Sequence, residues 1–255
     1  MLLAIDIGNT HTVFGLMVGI DVRNHWRITS SLARTEDEIG MLLMSFFDND
    51  HIDVKNIDGV CISSVVPYLT SIYVQMSERY IKKTPFIINS QIDLGFNIKY
   101  NDPSTVGADR LCNTAAGIRK YGTPLIILDF GTATTFDCID ENGDYLGGVI
   151  SPGIETSIKS LHIKAAKLPE IELQFPEKAI GKTTEESMQI GIVTGTVFMV
   201  ESMIKAIIKE LSGKVKVIAT GGLAKVISLR TNLIDSVDSN LSLEGIAILF
   251  KKNKI

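Results

Sequence analysis

Leu2-Leu3-Ala4-Ile5-Asp6-Ile7-Gly8-Asn9-Thr10 is answered near the middle of the 255-residue chain by Leu125-Ile126-Ile127-Leu128-Asp129-Phe130-Gly131-Thr132-Ala133. Each is an apolar run of buried-strand type that ends in an Asp, a Gly and a hydroxyl-bearing turn. Each is followed by a second strand-like run, residues 12–16 and 134–139, so each opens a β-hairpin. An Asp and a Gly closing one strand are ordinary hairpin punctuation. The second copy at half-length carries the argument further, to two similar half-molecules. It also has a chemical reading. A carboxylate at a strand end holds a cation, glycine lets backbone approach an anion, and N–H and O–H groups face phosphate oxygens. Neither turn closes with the Gly-Lys-Ser/Thr of a P-loop, and neither has the three spaced glycines of a dinucleotide fingerprint.

Composition narrows the class. A hydrophobic content of 45% with 21% charged residues is ordinary for a soluble globular chain of one large or two modest domains. The formal net charge of −4 offers no global field for nucleic acid, and the basic run Lys251-Lys252-Asn253-Lys254 reads as a solvated tail. Cys61, Cys112 and Cys138 are odd in number, far apart and without zinc spacing, as expected of free thiols in a reducing cytoplasm. Asp6 interrupts the apolar opening before a signal-peptide core is complete, and no uncharged apolar run approaches a membrane span of about 20 residues. A cytoplasmic protein with no membrane association is expected.

Between the hairpins, residues 24–29 read as a third strand. Thr35 with Glu38 forms a capping box for a helix through Phe47, and residues 59–63 read as a buried strand. Pro67 is placed to begin a helix reaching Ile81, and residues 86–88 make a short strand. Residues 91–105 lack periodicity and contain the turn cluster Asn101-Asp102-Pro103-Ser104, before a helix through Tyr121. In the second half, Glu141-Asn142-Gly143 predicts a type I′ turn, and Pro152-Gly153 precedes a helix. Residues 184–211 predict one long helix interrupted only by Gly191 and Gly195, glycines of the kind that admit a neighbouring backbone. The apolar positions on that helix are too many for one exposed face, which predicts a core helix or a subunit interface. Strand 215–220 ends in Gly221-Gly222, and a last helix spans about 243–251. The domain boundary is expected near residue 118, giving domains 1–117 and 118–255.

Taken in order, Asp6-Ile7-Gly8-Asn9-Thr10, Ser64-Val65-Val66-Pro67, Gly107-Ala108-Asp109-Arg110, Asp129-Phe130-Gly131-Thr132-Ala133-Thr134-Thr135, Gly148-Val149-Ile150-Ser151-Pro152-Gly153 and Thr220-Gly221-Gly222 resemble the type III pantothenate kinases. That family is a branch of the superfamily of acetate and sugar kinases, Hsp70 and actin. The resemblance implies an α/β fold of two ribonuclease-H-like domains, each a hairpin-started mixed sheet with helices, with an interdomain cleft for ATP. It implies a homodimer that phosphorylates pantothenate, the first step toward coenzyme A, and depends on a monovalent cation. One departure stands out. The family usually has Asn before Thr184, whereas this chain has Thr183, which keeps a hydroxyl and loses an amide donor.

By this resemblance Asp6 holds Mg2+, through water, because Mg2+ keeps much of its hydration shell. Ile7, Gly8, Asn9, Thr10, His11, Thr12 and Val13 form the ATP-binding turn, with Thr132 opposite. Asp129 ligates K+ or NH4+, with a second Mg2+ role as its alternative. Asp109 is the candidate general base, since a carboxylate can take the proton of a primary alcohol as its oxygen attacks phosphorus. Read as a bare residue, it would only cap the following helix and pair with Arg110. Arg110 offers a fork to a carboxylate or phosphate, or is an ordinary surface arginine. Tyr100, Gly107, Ala108 and Thr184 complete the expected substrate contacts, although a lone tyrosine more often packs half-buried. His25, His51 and His162 form no cluster. Two other readings remain: a different small-molecule kinase on the same scaffold, and a nucleotide-binding accessory or regulatory protein without turnover.

Overall fold

The computed structural model describes residues 1–254. It divides into two units, one made of residues 1–120 together with the chain from Asn240 onward, the other of Tyr121–Ser239. In the first unit, β1 (Leu2–Ile7), β2 (His11–Val18), β3 (Asp21–Thr29), β4 (Gly59–Ser64) and β5 (Phe86–Ile87) form a mixed sheet in the order β3-β2-β1-β4-β5. β1 is antiparallel to β2 and parallel to β4, and β4 is parallel to β5. Helices α1 (Glu36–Asn49), α2 (Pro67–Met76) and α3 (Ala108–Tyr121) complete this part of the chain.

The second unit repeats the plan. β6 (Leu125–Phe130), β7 (Ala133–Ile139), β8 (Tyr145–Pro152), β9 (Lys216–Thr220) and β10 (Ser236–Val237) are ordered β8-β7-β6-β9-β10, with the same antiparallel and parallel pairings. Helices α4 (Ile154–Lys164), α5 (Thr184–Gln189), α6 (Gly195–Ile208) and α7 (Ala224–Ser228) accompany it. This is the duplicated, hairpin-started ribonuclease-H-like fold.

The strand pleat sorts the first unit's core onto two faces. Leu3, Ile5, Ile7, Phe14, Leu16, Val60 and Ile62 pack with Ile39, Leu43 and Phe47 of α1 and with Leu69, Tyr73 and Met76 of α2. Thr35 makes the expected capping box with Glu38 at the start of α1. The opposite face carries small side chains, and α8 (Leu241–Asn253) lies on it, with Leu243 over Gly15, Phe250 over Gly59 and the Ile246 carbonyl near the Cys61 thiol. A β-carbon on Gly245 would stand 2.0 Å from the Cys112 carbonyl of α3. This is why the last helix groups with the first unit, whereas the sequence assigned it to the second domain. Its apolar stripe matches a sheet face left open by residues far upstream.

Three local expectations change. Asn142 does not adopt positive φ, so the turn at Glu141-Asn142-Gly143 is not type I′. Gly143 alone is left-handed (φ 84°), its N–H bonds to the Asp140 carbonyl, and the Asp140 carboxylate accepts from the N–H groups of Asn142 and Asp144. The helix from Pro67 reaches Ile81 only by widening into a π-turn over Ser77–Ile81. The long helix likewise passes from α5 through a π-turn at Ile190–Thr194 into α6. Among the described residues, a β-carbon on Gly191 would touch nothing within 4 Å, and one on Gly195 would meet the helix's own Ile190 carbonyl at 3.7 Å.

Assembled, Thr184–Ile208 is 25 residues, long and apolar enough by length and composition to cross a bilayer. The sequence, read for uncharged runs, did not show this. Val193, Val197, Val200, Ile204 and Ile207 bury one stripe of it in the second unit's core, while Phe198 remains 60% exposed.

Gly245→Ala is expected to destabilise the protein by several kcal/mol, because two helix backbones must separate to admit one methyl. Gly191→Ala is expected to stabilise it by about 0.5–1 kcal/mol through helix propensity. Paired urea denaturation curves check both.

Candidate active site

The turn after β1 is built by its own backbone and by Ser30. The Gly8 N–H bonds to the His11 carbonyl at 3.0 Å, the Ser30 N–H to the Thr10 carbonyl at 2.9 Å, and the Ser30 hydroxyl donates to the Gly8 carbonyl at 2.7 Å. Thr12 is fully buried, sharing a hydrogen bond with the Ser30 hydroxyl at 2.9 Å and lying against the Tyr73 hydroxyl. Its side chain therefore shapes the turn. Asn9 and His11 are exposed at the tip, Gly8 and Thr10 are half-buried, and Ile7 and Val13 flank them within the hairpin.

Asp6 sits where β1 meets this turn. Its Oδ1 accepts a 3.0 Å hydrogen bond from the Ser63 hydroxyl of β4. Burial and, less strongly, the neighbouring Asp109 carboxylate together raise its pKa to about 7 against the opposing hydrogen bond from Ser63. Asp109 lies in the first turn of α3, where its Oδ1 accepts from the Arg110 N–H at 2.7 Å. Burial raises the Asp109 pKa too, opposed by the Arg110 N–H and guanidinium. Gly107 packs close beside it: a β-carbon there would stand 2.5 Å from Asp109 Oδ1 and 3.3 Å from Val65, so a side chain at 107 would displace the carboxylate. Ala108 is buried at the helix start, and Arg110 is only 8% exposed, not the surface arginine of the bare reading. Tyr100 is 39% exposed in the segment before α3.

In the second unit Asp129 holds the corresponding position at the end of β6. Gly221 comes so close that a β-carbon would lie 2.4 Å from Asp129 Oδ1, and its φ of 90° is left-handed, so only glycine fits. Thr132 is exposed, and its carbonyl is pinned by the Gly153 N–H at 3.0 Å and by the Thr156 hydroxyl of α4 at 2.6 Å. Thr184 opens α5 and is exposed. Thr183 is that helix's N-cap, its hydroxyl accepting from the Glu186 N–H at 3.1 Å, an acceptor role that an Asn side chain also fills.

The structure thus brings Asp6, the Gly8–His11 turn, Asp109 and Arg110 together in one unit, and Asp129, Thr132 and Gly221 in the other. Sequence reasoning missed Ser63 and Ser30. Ser63 could have been found only from the parallel register that sets it opposite Asp6.

No group of three or more His, Cys, Asp or Glu side chains among the described residues forms a metal cage. That fits Mg2+, which is usually held by one or two carboxylates, waters and substrate phosphates. Two neighbouring carboxyls whose pKa values are both raised form a hard-oxygen donor set that a cation would relieve.

The duplicated sheets, each with an Asp at the end of its first strand, form a fold that recurs in solved structures. A Campylobacter jejuni protein carried under the name of a Baf-family transcriptional activator is 19% identical, with TM-score 0.63 and 98% of both chains covered. The ethanolamine utilization protein EutJ of Carboxydothermus hydrogenoformans is 13% identical, with TM-score 0.53 over 97% of this chain and 89% of that one. A Listeria monocytogenes protein named as an N-acetylmannosamine kinase is 12% identical, with TM-score 0.52 and 98% of each chain covered. The family model of the type III pantothenate kinases matches residues 2–206, and the chain belongs to that family of phosphotransferases.

The Asp6 shift has a testable sign. Between the unfolded pKa near 3.8 and the folded value of about 7, the folded state retains a proton that the unfolded state releases, so Asp6 erodes stability as pH rises through that window. Asp6→Asn is therefore expected to raise the melting temperature of the ligand-free protein more at pH 8 than at pH 5. Thermal melts at the two pH values check this, and equal increments would contradict it.

Proposed function

We propose that this chain catalyses the ATP-dependent phosphorylation of pantothenate to 4′-phosphopantothenate, the first step of coenzyme A biosynthesis. The reading rests above all on the juxtaposition in the first unit of Asp6, Asp109 and the buried Arg110. Family membership supplies the substrate pair, pantothenate and ATP.

Phosphoryl transfer needs reactants in line and charge neutralised more than it needs covalent help. The backbone from Ile7 to Val13, with Asn9, Thr10 and His11, cradles the phosphates, and Thr132 serves the same nucleotide. Asp6 would hold Mg2+ through water, and the ion when bound would supply charge neutralisation. Asp129 would hold K+ or NH4+, which would add positive charge in a chain without a P-loop lysine. Asp109 accepts the proton of the attacking alcohol, and burial favours the protonated form it then holds. Arg110, with Tyr100, Gly107, Ala108 and Thr184, binds pantothenate, its guanidinium meeting the carboxylate. The enzyme acts as a cytoplasmic homodimer, paired through the apolar outer face of Thr184–Ile208, and the net charge of −4 leaves no basis for nucleic-acid binding.

A coupled assay offering pantothenate, acetate and several sugars with ATP, with and without K+, is expected to show turnover on pantothenate alone, stimulated by K+. Turnover on a sugar or acetate would make the chain a different kinase, and none at all would favour the accessory role. Asp109→Asn is expected to lower kcat by about 10²-fold or more while sparing ATP affinity. Near-normal turnover would remove Asp109 from the base role.

A further inference from the structure

Asp6 and Asp129 occupy matching places in the two sheets, and so do their neighbours across the parallel ladder. Asp6 is paired with Ser63 in the β1/β4 register, and Asp129 with Thr220 in the β6/β9 register. Both halves therefore set a buried hydroxyl residue, 0% and 3% exposed, beside the strand-end carboxylate. Most other positions of these ladders are aliphatic, so a hydroxyl recurring at this register points to the carboxylate it accompanies.

In the first unit the contact is explicit. A serine hydroxyl has one proton, and that of Ser63 goes to Asp6 Oδ1 at 3.0 Å. The Ser63 oxygen is left to accept, and the Cys112 thiol lies beside it. Cys112 stands three residues after Asp109 on α3. The helix that carries Asp109 thus abuts the hydroxyl that holds Asp6. Ser63 is fully buried, so it can act on a ligand only through Asp6.

We infer that Ser63 is a positioning residue for phosphoryl transfer: its hydrogen bond fixes the Asp6 carboxylate and commits Oδ1, leaving Oδ2 for Mg2+ or its waters. The inference rests on the proposed reading of Asp6 as the Mg2+ carboxylate. Partners that orient a metal-binding side chain typically contribute 10- to 100-fold in metal affinity, and water-mediated coordination sets this case at the lower end.

The test is calorimetric titration with a non-hydrolysable ATP analogue over a series of Mg2+ concentrations, with melting temperatures read on the same samples. Ser63→Ala is expected to raise the Mg2+ concentration for half-maximal binding about tenfold while leaving Mg2+-free nucleotide affinity unchanged. Ser63→Thr, which keeps the hydroxyl, is expected to stay near the wild-type midpoint. An unchanged midpoint in Ser63→Ala overturns the inference, as does a parallel loss of Mg2+-free and Mg2+-dependent binding, the mark of a merely structural role. If Ser63→Ala does not fold, Ser63→Cys, which replaces the hydroxyl with a weaker donor of similar size, takes its place: a shift of the Mg2+ midpoint in the same direction supports the inference, and none overturns it. A wild-type protein that binds the nucleotide without any Mg2+ dependence would instead remove the reading of Asp6 on which the inference stands.

Discussion

A carboxylate at the end of a buried strand is costly to ionise, and the rest of this structure is arranged around that fact. Asp6 follows four core residues of β1, accepts a hydrogen bond from Ser63 and has a second carboxylate, Asp109, for a neighbour. Folding tolerates the arrangement because the flanking strand is packed on both faces, by α1 and α2 on one side and α8 on the other. A scaffold built only for stability would place an aliphatic residue there.

The duplication uses one plan for two strand ends with different surroundings. Both halves present Asp, then a tight hairpin turn, and a buried hydroxyl on the parallel neighbour. They diverge just beyond that neighbour. After β4 the chain continues through Val65, which packs against Gly107 and so borders Asp109. After β9 it turns at Gly221, whose backbone presses against the Asp129 carboxylate. The first unit thereby gains a second carboxylate and a buried arginine from α3, and the second gains a glycine turn. Equivalent strands end in unequal sites because the connections after them differ.

Much of this was legible in the residues. Strand starts, the Thr35–Glu38 capping box, Pro67 at the first turn of α2 and the short β5 all follow from local chemistry that acts within a few residues. What failed to show depended on competition between backbone geometries or on distant partners. Asn142-Gly143 carries the letters of a type I′ turn, but Asp140 offers a carboxylate to two N–H groups and selects another loop. The π-turns at Ser77–Ile81 and Ile190–Thr194 have no letter code, since widening a helix by one residue satisfies packing that the helix does not itself contain.

The sequence by itself determined the duplication, the identity of the carboxylates and the turns that bear them, because strand periodicity and turn chemistry are short-range and each half repeats them. Only the tertiary structure decided that Asp109 comes near Asp6, that Ser63 holds it, that Arg110 is buried and that α8 completes the first sheet. Those depend on register between strands more than fifty residues apart and on a helix from the chain's end fitting a face of small side chains near its beginning. No local pattern can encode such pairings, because the free energy that selects them is gained only when both partners are in place.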